Sequence, residues 1–423
     1  MSYNILIIYR SLHYPVRNSI NEHLYSFENY TNHQIYYLNA LFVLKIPWYL
    51  KKVKFDLIIF HTTFLGARWN SRRFEKLMSK LVFFSKSSAI KAILPQDEFV
   101  YTDCLNVLIN RFSIDFIFTV SPVSEWKKIY NNVDFENVKI EQVLTGYIDD
   151  KTVDKVHTLQ KKIQEREVDI GYRAWRAPPW LGKHGLTKVK IGEVFKQVCD
   201  SNGLHSDISN EEKDTIYGDK WLEFLLKCRF TIGVEGGASI LDPTGDIRKK
   251  TEDFLLKNPN ASYSELEAHC FPGLDGNLNL FAISPRHLEA CLTKTCQVLL
   301  EGHYNDILKP GLHFVELKRD YSNLEEVIGI IKNGKKRNEI TERAYSDIVL
   351  SGKYTYKRFA NEIVCKCLHN SISLQHQDDR TRSFVDKMGK TCNTISEYLI
   401  RKIGRPLYYL WQFYKAYINI VRA

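Results

Sequence analysis

A chain of 423 residues can hold two or three ordinary domains, each with its own core. With 44% hydrophobic and 13% aromatic residues it is a folded body rather than a disordered chain. Its formal charge of +10 asks for an anionic partner: nucleic acid, a membrane or a phosphorylated substrate.

The nine cysteines are an odd number without secretory features, and Cys365-Lys366-Cys367 has the wrong spacing for a zinc knuckle. Reduced, mostly buried thiols are expected. The start, MSYNILIIYR, lacks the basic flank and long apolar run of a signal peptide, so a cytosolic protein is expected. Asn4–Tyr9 reads as a buried parallel strand. The loop after it carries Arg10, His13, Tyr14 and Arg17 before a helix starting near Ser19. His13 is either an acceptor-side group in a ligand crevice or an ordinary surface histidine.

Further strands are expected at Asp56–Phe60, Ala89–Leu94 and Asp115–Val120, with an edge strand starting near Gln142–Leu144. Strands alternating with helical segments indicate a parallel sheet covered on both faces. Polar groups follow the strands directly: His61, then Asp97 with Glu98, then Ser121. The crevice of such a sheet lies there. Asp97 or Glu98 is a candidate general base or hydroxyl ligand; the other reading is that both cap a helix around Val100–Asn110.

Asp149–Glu167 is charged and helical or linker-like, and a domain boundary is placed there. A new strand, Val168–Tyr172, runs into Arg173, Arg176 and Lys183, with Pro178, Pro179 and Gly182 ruling out a regular helix through the loop. Helices are expected at Lys188–Cys199 and Trp221–Cys228, then a strand at Phe230–Val234 ending in Glu235-Gly236-Gly237-Ala238-Ser239. Small residues there allow close backbone approach to a sugar or phosphate. The run is neither a P-loop nor a G-x-S-x-G elbow. Glu235 is a candidate for ligand hydroxyls or for catalysis. Residues 249–268 read as a charged helical excursion over the site, starting at the cap-like Ser262-x-x-Glu265. Asp275, between two glycines, is either a turn residue or a sugar contact.

Ser284–Pro310 reads as a helix, the strand Cys296–Leu300, and a polar loop closed by Lys309-Pro310-Gly311. Glu289, early in that helix, suits a ribose diol, or simply favours the helix dipole. Leu312–Leu317 is a further strand, with helices at Asn323–Ile331, Ile340–Leu350 and Tyr354–Cys367, the last expected to finish the second domain.

The pattern VEGGAS, FPGLDGN, SPRHLEA, then K-P-G and HFVELKRDYSNLEEVI, resembles the nucleotide-sugar half of GT-B glycosyltransferases. It is most similar to bacterial enzymes of surface-polysaccharide (O-antigen or capsule) clusters. The resemblance covers residues 168–365 well and residues 1–150 only in general pattern. It implies an α/β, GT-B-like fold, with two Rossmann-like domains facing each other across a cleft and a C-terminal helical tail. Residues 1–150 would take the acceptor, residues 165–368 the donor, and residues 369–423 would form a linker and a basic aromatic helix.

By the same resemblance, Arg173, Lys183, Gly236, Gly237, Ser284, Arg286, Glu289, Lys309 and Gly311 would hold the donor. Glu235, Asp275, Glu98, Asp97 and His61 would supply the chemistry, retaining or inverting. With no clear D-x-D element, no metal or other cofactor is expected, and basic residues would neutralise the leaving phosphates. The expected partners are a nucleotide-sugar donor and a glycan or lipid-linked glycan acceptor. Nucleic acid is not expected, since aromatics and Lys/Arg do not interleave as in a known module. The alternative is a non-catalytic nucleotide-sugar- or glycan-binding protein on the same fold.

The end of the chain changes character: seven aromatics and five Lys/Arg lie between Ile395 and Ala423, against one acid, Glu397. Such a segment suits an anionic membrane surface, hence a peripheral protein at the inner face of the cytoplasmic membrane. The other reading is a terminal helix docked on the first domain.

Overall fold

The computed structural model describes residues 2–11, 18–41, 43, 45–163 and 165–369, with scattered positions from 383 to 410. The first sheet comprises β1 (Asn4–Tyr9), β2 (Gln34–Asn39), β3 (Leu57–Phe60), β4 (Ile90–Ile93), β5 (Phe116–Thr119) and β6 (Lys139–Gln142). Their order is β2-β1-β3-β4-β5-β6, every pair parallel. Helices α1 (Asn18–Tyr30), α2 (Thr62–Leu65), α3 (Ser71–Leu81), α4 (Thr102–Phe112) and α5 (Trp126–Ile129) fill the connections, and α6 (Asp150–Gln160) leads out.

The second half begins with β7 (Val168–Arg173), α7 (Lys183–Asn202), β8 (Ser206–Ser209), α8 (Asp219–Lys227) and β9 (Cys228–Gly233). A short antiparallel pair, β10 (Gly236–Ala238) and β11 (Leu280–Ala282), brackets α9 (Asp246–Lys257) and α10 (Tyr263–Cys270). Then come α11 (Pro285–Leu292), β12 (Cys296–Leu300), β13 (Val315–Leu317), α12 (Leu324–Ile331), α13 (Gly334–Ala344) and α14 (Tyr356–Leu368). The order β13-β12-β9-β7-β8 repeats the first sheet's topology, with the order reversing beside the first strand of each half. In open parallel sheets a ligand crevice forms at that reversal, outside the carboxyl ends of the strands.

β1 is apolar from Ile5 to Ile8 because both its faces are covered. Leu6 and Ile8 join a core with α3 and α4, while Ile5 and Ile7 face Phe27 of α1 and Phe359 and Ile363 of α14. The helix expected to finish the second domain thus covers the first sheet. The second sheet's faces are already filled by α7 and α12 on one side and α8 and α11 on the other.

Residues 249–268 also differ from expectation. They form parts of two helices, broken at Asn258-Pro259-Asn260, and the capping box at Ser262 and Glu265 starts the second. Rather than standing over the crevice alone, this insertion shares a core with the first domain: Ile240, Ile247, Leu266 and Phe271 pack with Phe64, Phe99 and Val100. Val100 and Asp242 pair like strand residues, Tyr101 N donating to Asp242 O at 2.9 Å and Asp242 N to Phe99 O at 2.8 Å. Arg248 lies between the indoles of Trp69 and Trp180, 5.2 and 5.4 Å from their centroids.

β2 and β8 are additional strands, both short and partly polar. The expected C-terminal helix Ile395–Ala423 and the loop residue His13 lie largely or wholly outside the described residues.

Candidate active site

The carboxyl edge of the second sheet is built around Glu235, just after β9. Its carboxylate is buried and accepts from Tyr304 N (2.7 Å) and His303 N (3.3 Å) in the loop after β12. Tyr304, Asn305 and Asp306 are all left-handed, with φ of 45°, 52° and 58°. Each such L-residue costs roughly 1–2 kcal/mol. Two bonds oppose that cost: the one from Tyr304 N to Glu235, and one from Ile283 N to Asn305 Oδ1 at 2.7 Å. Burial raises the Glu235 carboxyl's pKa against the two amides. Glu235 is therefore a loop anchor; with both oxygens engaged, it is poorly placed as a nucleophile.

Asp275 has a similar part. Its Oδ1 accepts from Ser239 Oγ at 2.7 Å, its Oδ2 from Tyr263 OH at 2.9 Å, and both lie 3.2–3.3 Å from Lys183 N at the start of α7. It meets the first amide of that helix and ties the insertion to it; the helix starts at Lys183, five residues before the expected Lys188. Lys183 Nζ is exposed, 3.7 Å from Asp275 and 3.5 Å from Glu267. Gly236 and Gly237 lie opposite Ala282 and Phe281 in the short antiparallel ribbon. Gly237 has φ +115°, and a Cβ there would lie 1.8 Å from Leu280 O. Gly237→Ala is expected to destabilise the protein by roughly 3 kcal/mol, read as a lower denaturation midpoint; an unchanged midpoint would contradict the tight pairing.

The basic candidates divide sharply. Arg173 is committed to structure. Its Nε donates to Asp214 O, its Nη1 to Tyr172 O and Asp207 O, and its Nη2 to Asp207 Oδ1 at 2.7 Å, with the guanidinium over Phe224. The expectation that it meets a donor phosphate does not fit this geometry: the guanidinium is spent on β7, β8 and the turn that follows β8. Arg286 is exposed, donates to Arg173 O and lies 5.3 Å over Trp221. Lys309 is exposed beside Asp306 (3.3 Å), and Gly311 (φ +74°) turns the loop, donating to Phe314 O.

Lys188, one turn and a half into α7, carries a signal that the sequence reading missed. Burial and then Arg286 lower its ammonium's pKa, while Asp97 of the first domain raises it. It lies within electrostatic reach of Arg286 and of Asp97 in the first domain, and its Nζ donates to no group among the described residues. Arg319, exposed just past β13, adds positive potential at Glu235 and His184. His184 stacks on Phe281 at 4.1 Å, with Nε2 3.1 Å from Glu235 O; its buried Nδ1 has no partner among the described residues. Burial, together with Lys188, holds its pKa at about 4, so the ring is neutral at pH 7.

Ser284 caps α11 with His287, whose Nδ1 is 3.0 Å from Ser284 N. Glu289 Oε2 accepts from Trp221 Nε1 at 2.7 Å. Its carboxyl's pKa is raised by burial, opposed by Trp221 and Arg286. Across the mouth, Glu22 of α1 feels Glu289. Burial pushes Glu22 up to about 7, opposed by a hydrogen bond from Thr152 and reinforced by Asp149 and Glu289. Arg286, Glu289 and Trp221 thus form one cluster at the start of α11, facing the first domain.

Of the first-domain candidates Asp97, Glu98 and His61, Asp97 is exposed and the other two are buried. Asp97 follows β4 with φ 56°, and its carbonyl accepts from the buried Arg68 at 2.5 Å. Glu98 is fully buried, with Oε1 taking both Thr119 Oγ1 and Tyr130 OH and Oε2 without a partner. His61 is also fully buried, its Nδ1 accepting from Thr63 N at 3.2 Å and its Nε2 2.8 Å from His23 Nδ1. Burial and His23 keep it well below the usual histidine range. The crevice roles expected for Glu98 and His61 conflict with these positions: the strand ends turn both side chains inward. Among the described residues no cluster of three or more His, Cys, Asp or Glu could hold a metal ion.

No protein-family model matches the sequence, and the search of curated proteins finds no match. Solved structures do resemble the fold. An alpha-glucosyltransferase in complex with UDP and a 13-mer DNA superposes with a TM-score of 0.52 at 12% identity, over 87% of this chain and 100% of that one. HepE of Anabaena in complex with UDP-glucose gives 0.48 at 12%, over 87% and 100%. A glycosyltransferase from Rickettsia africae gives 0.46 at 12%, over 88% and 100%. The fold is GT-B-like: two Rossmann-like domains facing each other across a cleft.

Proposed function

We propose that the protein transfers a sugar from a nucleotide-activated donor to a glycan acceptor. The observation that carries this is a set of cations at the second domain's edge: Lys188, in electrostatic reach of Arg286, His184 and Asp97, and Arg319, in reach of His184 and Glu235. A nucleoside diphosphate leaving group needs such neutralisation as its bond to the anomeric carbon breaks. The alpha-glucosyltransferase of like fold, solved with UDP, supports the same ligand class. In this reading Glu289 binds the ribose beside Trp221, and Lys188 and Arg286 bind the phosphates.

The acceptor oxygen attacks the anomeric carbon, and the sugar–phosphate bond breaks. In an inverting reaction the acceptor proton passes to Asp97, the one exposed carboxylate among those expected at this edge. In a retaining reaction it passes to the leaving phosphate on the same face, since Glu235 and Asp275 are both engaged. No metal is invoked; the cations do that work. We place the acceptor among bacterial surface glycans, free or lipid-linked, with Ile395–Ala423 holding the protein at the inner membrane face. No helix among the described residues is long and apolar enough to cross a membrane.

The non-catalytic alternative draws support from the burial of His61 and Glu98, which leaves few groups to act as a base. A thermal-shift screen against nucleoside diphosphates and nucleotide sugars tests the donor site. A rise in melting temperature with one base, lost in Glu289→Ala, is expected. No shift with any nucleotide would overturn the reading. Binding without transfer to any glycan or lipid-linked acceptor would favour the alternative.

A further inference from the structure

The first domain carries an exposed aromatic and basic patch unrelated to the crevice. Trp48 is 53% exposed, Val82 49% and Phe83 45%. Large apolar side chains are rarely left open in a cluster without a partner. Trp48 lies in the β2–β3 connection and Val82 and Phe83 just after α3, yet they form one surface. Lys51 Nζ sits 5.7 Å over the Phe83 ring, and Lys80 Nζ donates to Val43 O at 3.0 Å. Lys52 Nζ lies 5.2 Å over Trp48, whose indole also meets Phe384 at 5.5 Å.

The charge around these rings has one sign. Residues 45–54 and 80–90 contain Lys45, Lys51, Lys52, Lys54, Lys80 and Lys86 and no Asp or Glu. All six lysines are exposed. Both segments lead into the amino ends of β3 and β4, the end of the sheet opposite the crevice, so an occupant would not compete with a ligand there.

We propose that this patch docks the first domain on an anionic lipid surface. Indole and phenyl rings enter the headgroup boundary while the lysines meet the lipid phosphates. Phe384, whose ring meets Trp48, belongs to the stretch of sequence between α14 and the basic, aromatic C-terminus. The inference does not depend on the sugar-transfer reading.

The test uses the full chain and sedimentation with vesicles of phosphatidylcholine alone or mixed equally with phosphatidylglycerol. Binding to the mixed vesicles is expected, weakened by salt and absent with the neutral ones. Each lysine near such a surface contributes about fivefold, so Lys51→Ala with Lys52→Ala should weaken binding on the order of 20-fold. Trp48→Ala with Phe83→Ala should weaken it without altering the salt dependence. These residues are exposed, so unchanged thermal unfolding of each variant confirms a folded protein. Wild-type affinity in both variants would assign binding to the C-terminus alone and overturn the proposal. So would the absence of vesicle binding, or patch-dependent binding of a short oligonucleotide in its place.

Discussion

Lys188→Ala is expected to lower kcat/KM for transfer from a nucleotide sugar by roughly two to three orders of magnitude, the size seen when one preorganised charge at a developing anion is lost. The reason lies in its setting. The ammonium is half-buried, its pKa is depressed by burial and by Arg286, and its Nζ is not spent on any group among the described residues. A cation kept in that condition is ready for an anion that arrives with the donor. Arg173→Ala is the contrasting variant. Its guanidinium is tied to Asp207 and Asp214, so the loss should lower the melting temperature and leave kcat/KM near wild type. Steady-state kinetics with the donor identified by thermal shift would decide. Unchanged turnover in Lys188→Ala would remove that residue from the site.

Glu98→Gln should make the protein more stable at pH 8 than the wild type and about equally stable at pH 4. Burial raises the Glu98 carboxyl to about 7, opposed by hydrogen bonds from Thr119 and Tyr130 and by the charge of Arg68. The folded protein therefore keeps a proton that the unfolded chain releases above its ordinary value of 4.5. That contribution is full below pH 4.5 and is lost as pH rises through 7, amounting to about 3 kcal/mol by pH 8. Glutamine keeps the Oε1 acceptor and never ionises. Glu22, also near 7, titrates with the same sign, so some slope should persist in the variant. Denaturant unfolding at the two pH values measures the difference; a variant no more stable than wild type at pH 8 would refute the assignment.

The two-sheet plan was legible because buried parallel strands are continuous apolar runs. NILIIY and CQVLL coincide with β1 and β12 to the residue. β2 and β8 escaped for the opposite reason: QIYYLN and SDIS mix polar groups into edge or near-edge positions, where one face needs no apolar side chain. The pairing of α14 with α1 was hidden because amphipathic periodicity says which face of a helix is buried, not which sheet buries it.

Site residues show the same division. The sequence located Glu235, Asp275 and Arg173 at strand ends and turns, where they are. Their hydrogen-bond partners, which decide whether they meet a ligand, come from segments up to 92 residues away. Lys188 was overlooked because it sits inside a helix, where a lysine ordinarily reads as a solvated face.

The position of α14 has a consequence for biosynthesis. Ile5, Ile7 and Ile59 are in place once the first sheet is made, but the helix that covers them ends at Leu368. At ribosomal speeds of about 5–20 residues per second, the nascent first domain waits roughly 10–40 s with that flank incompletely covered. The protein can complete its first domain only after its second has been synthesised, and until then the open flank is a surface on which chaperones, or other nascent chains, can act.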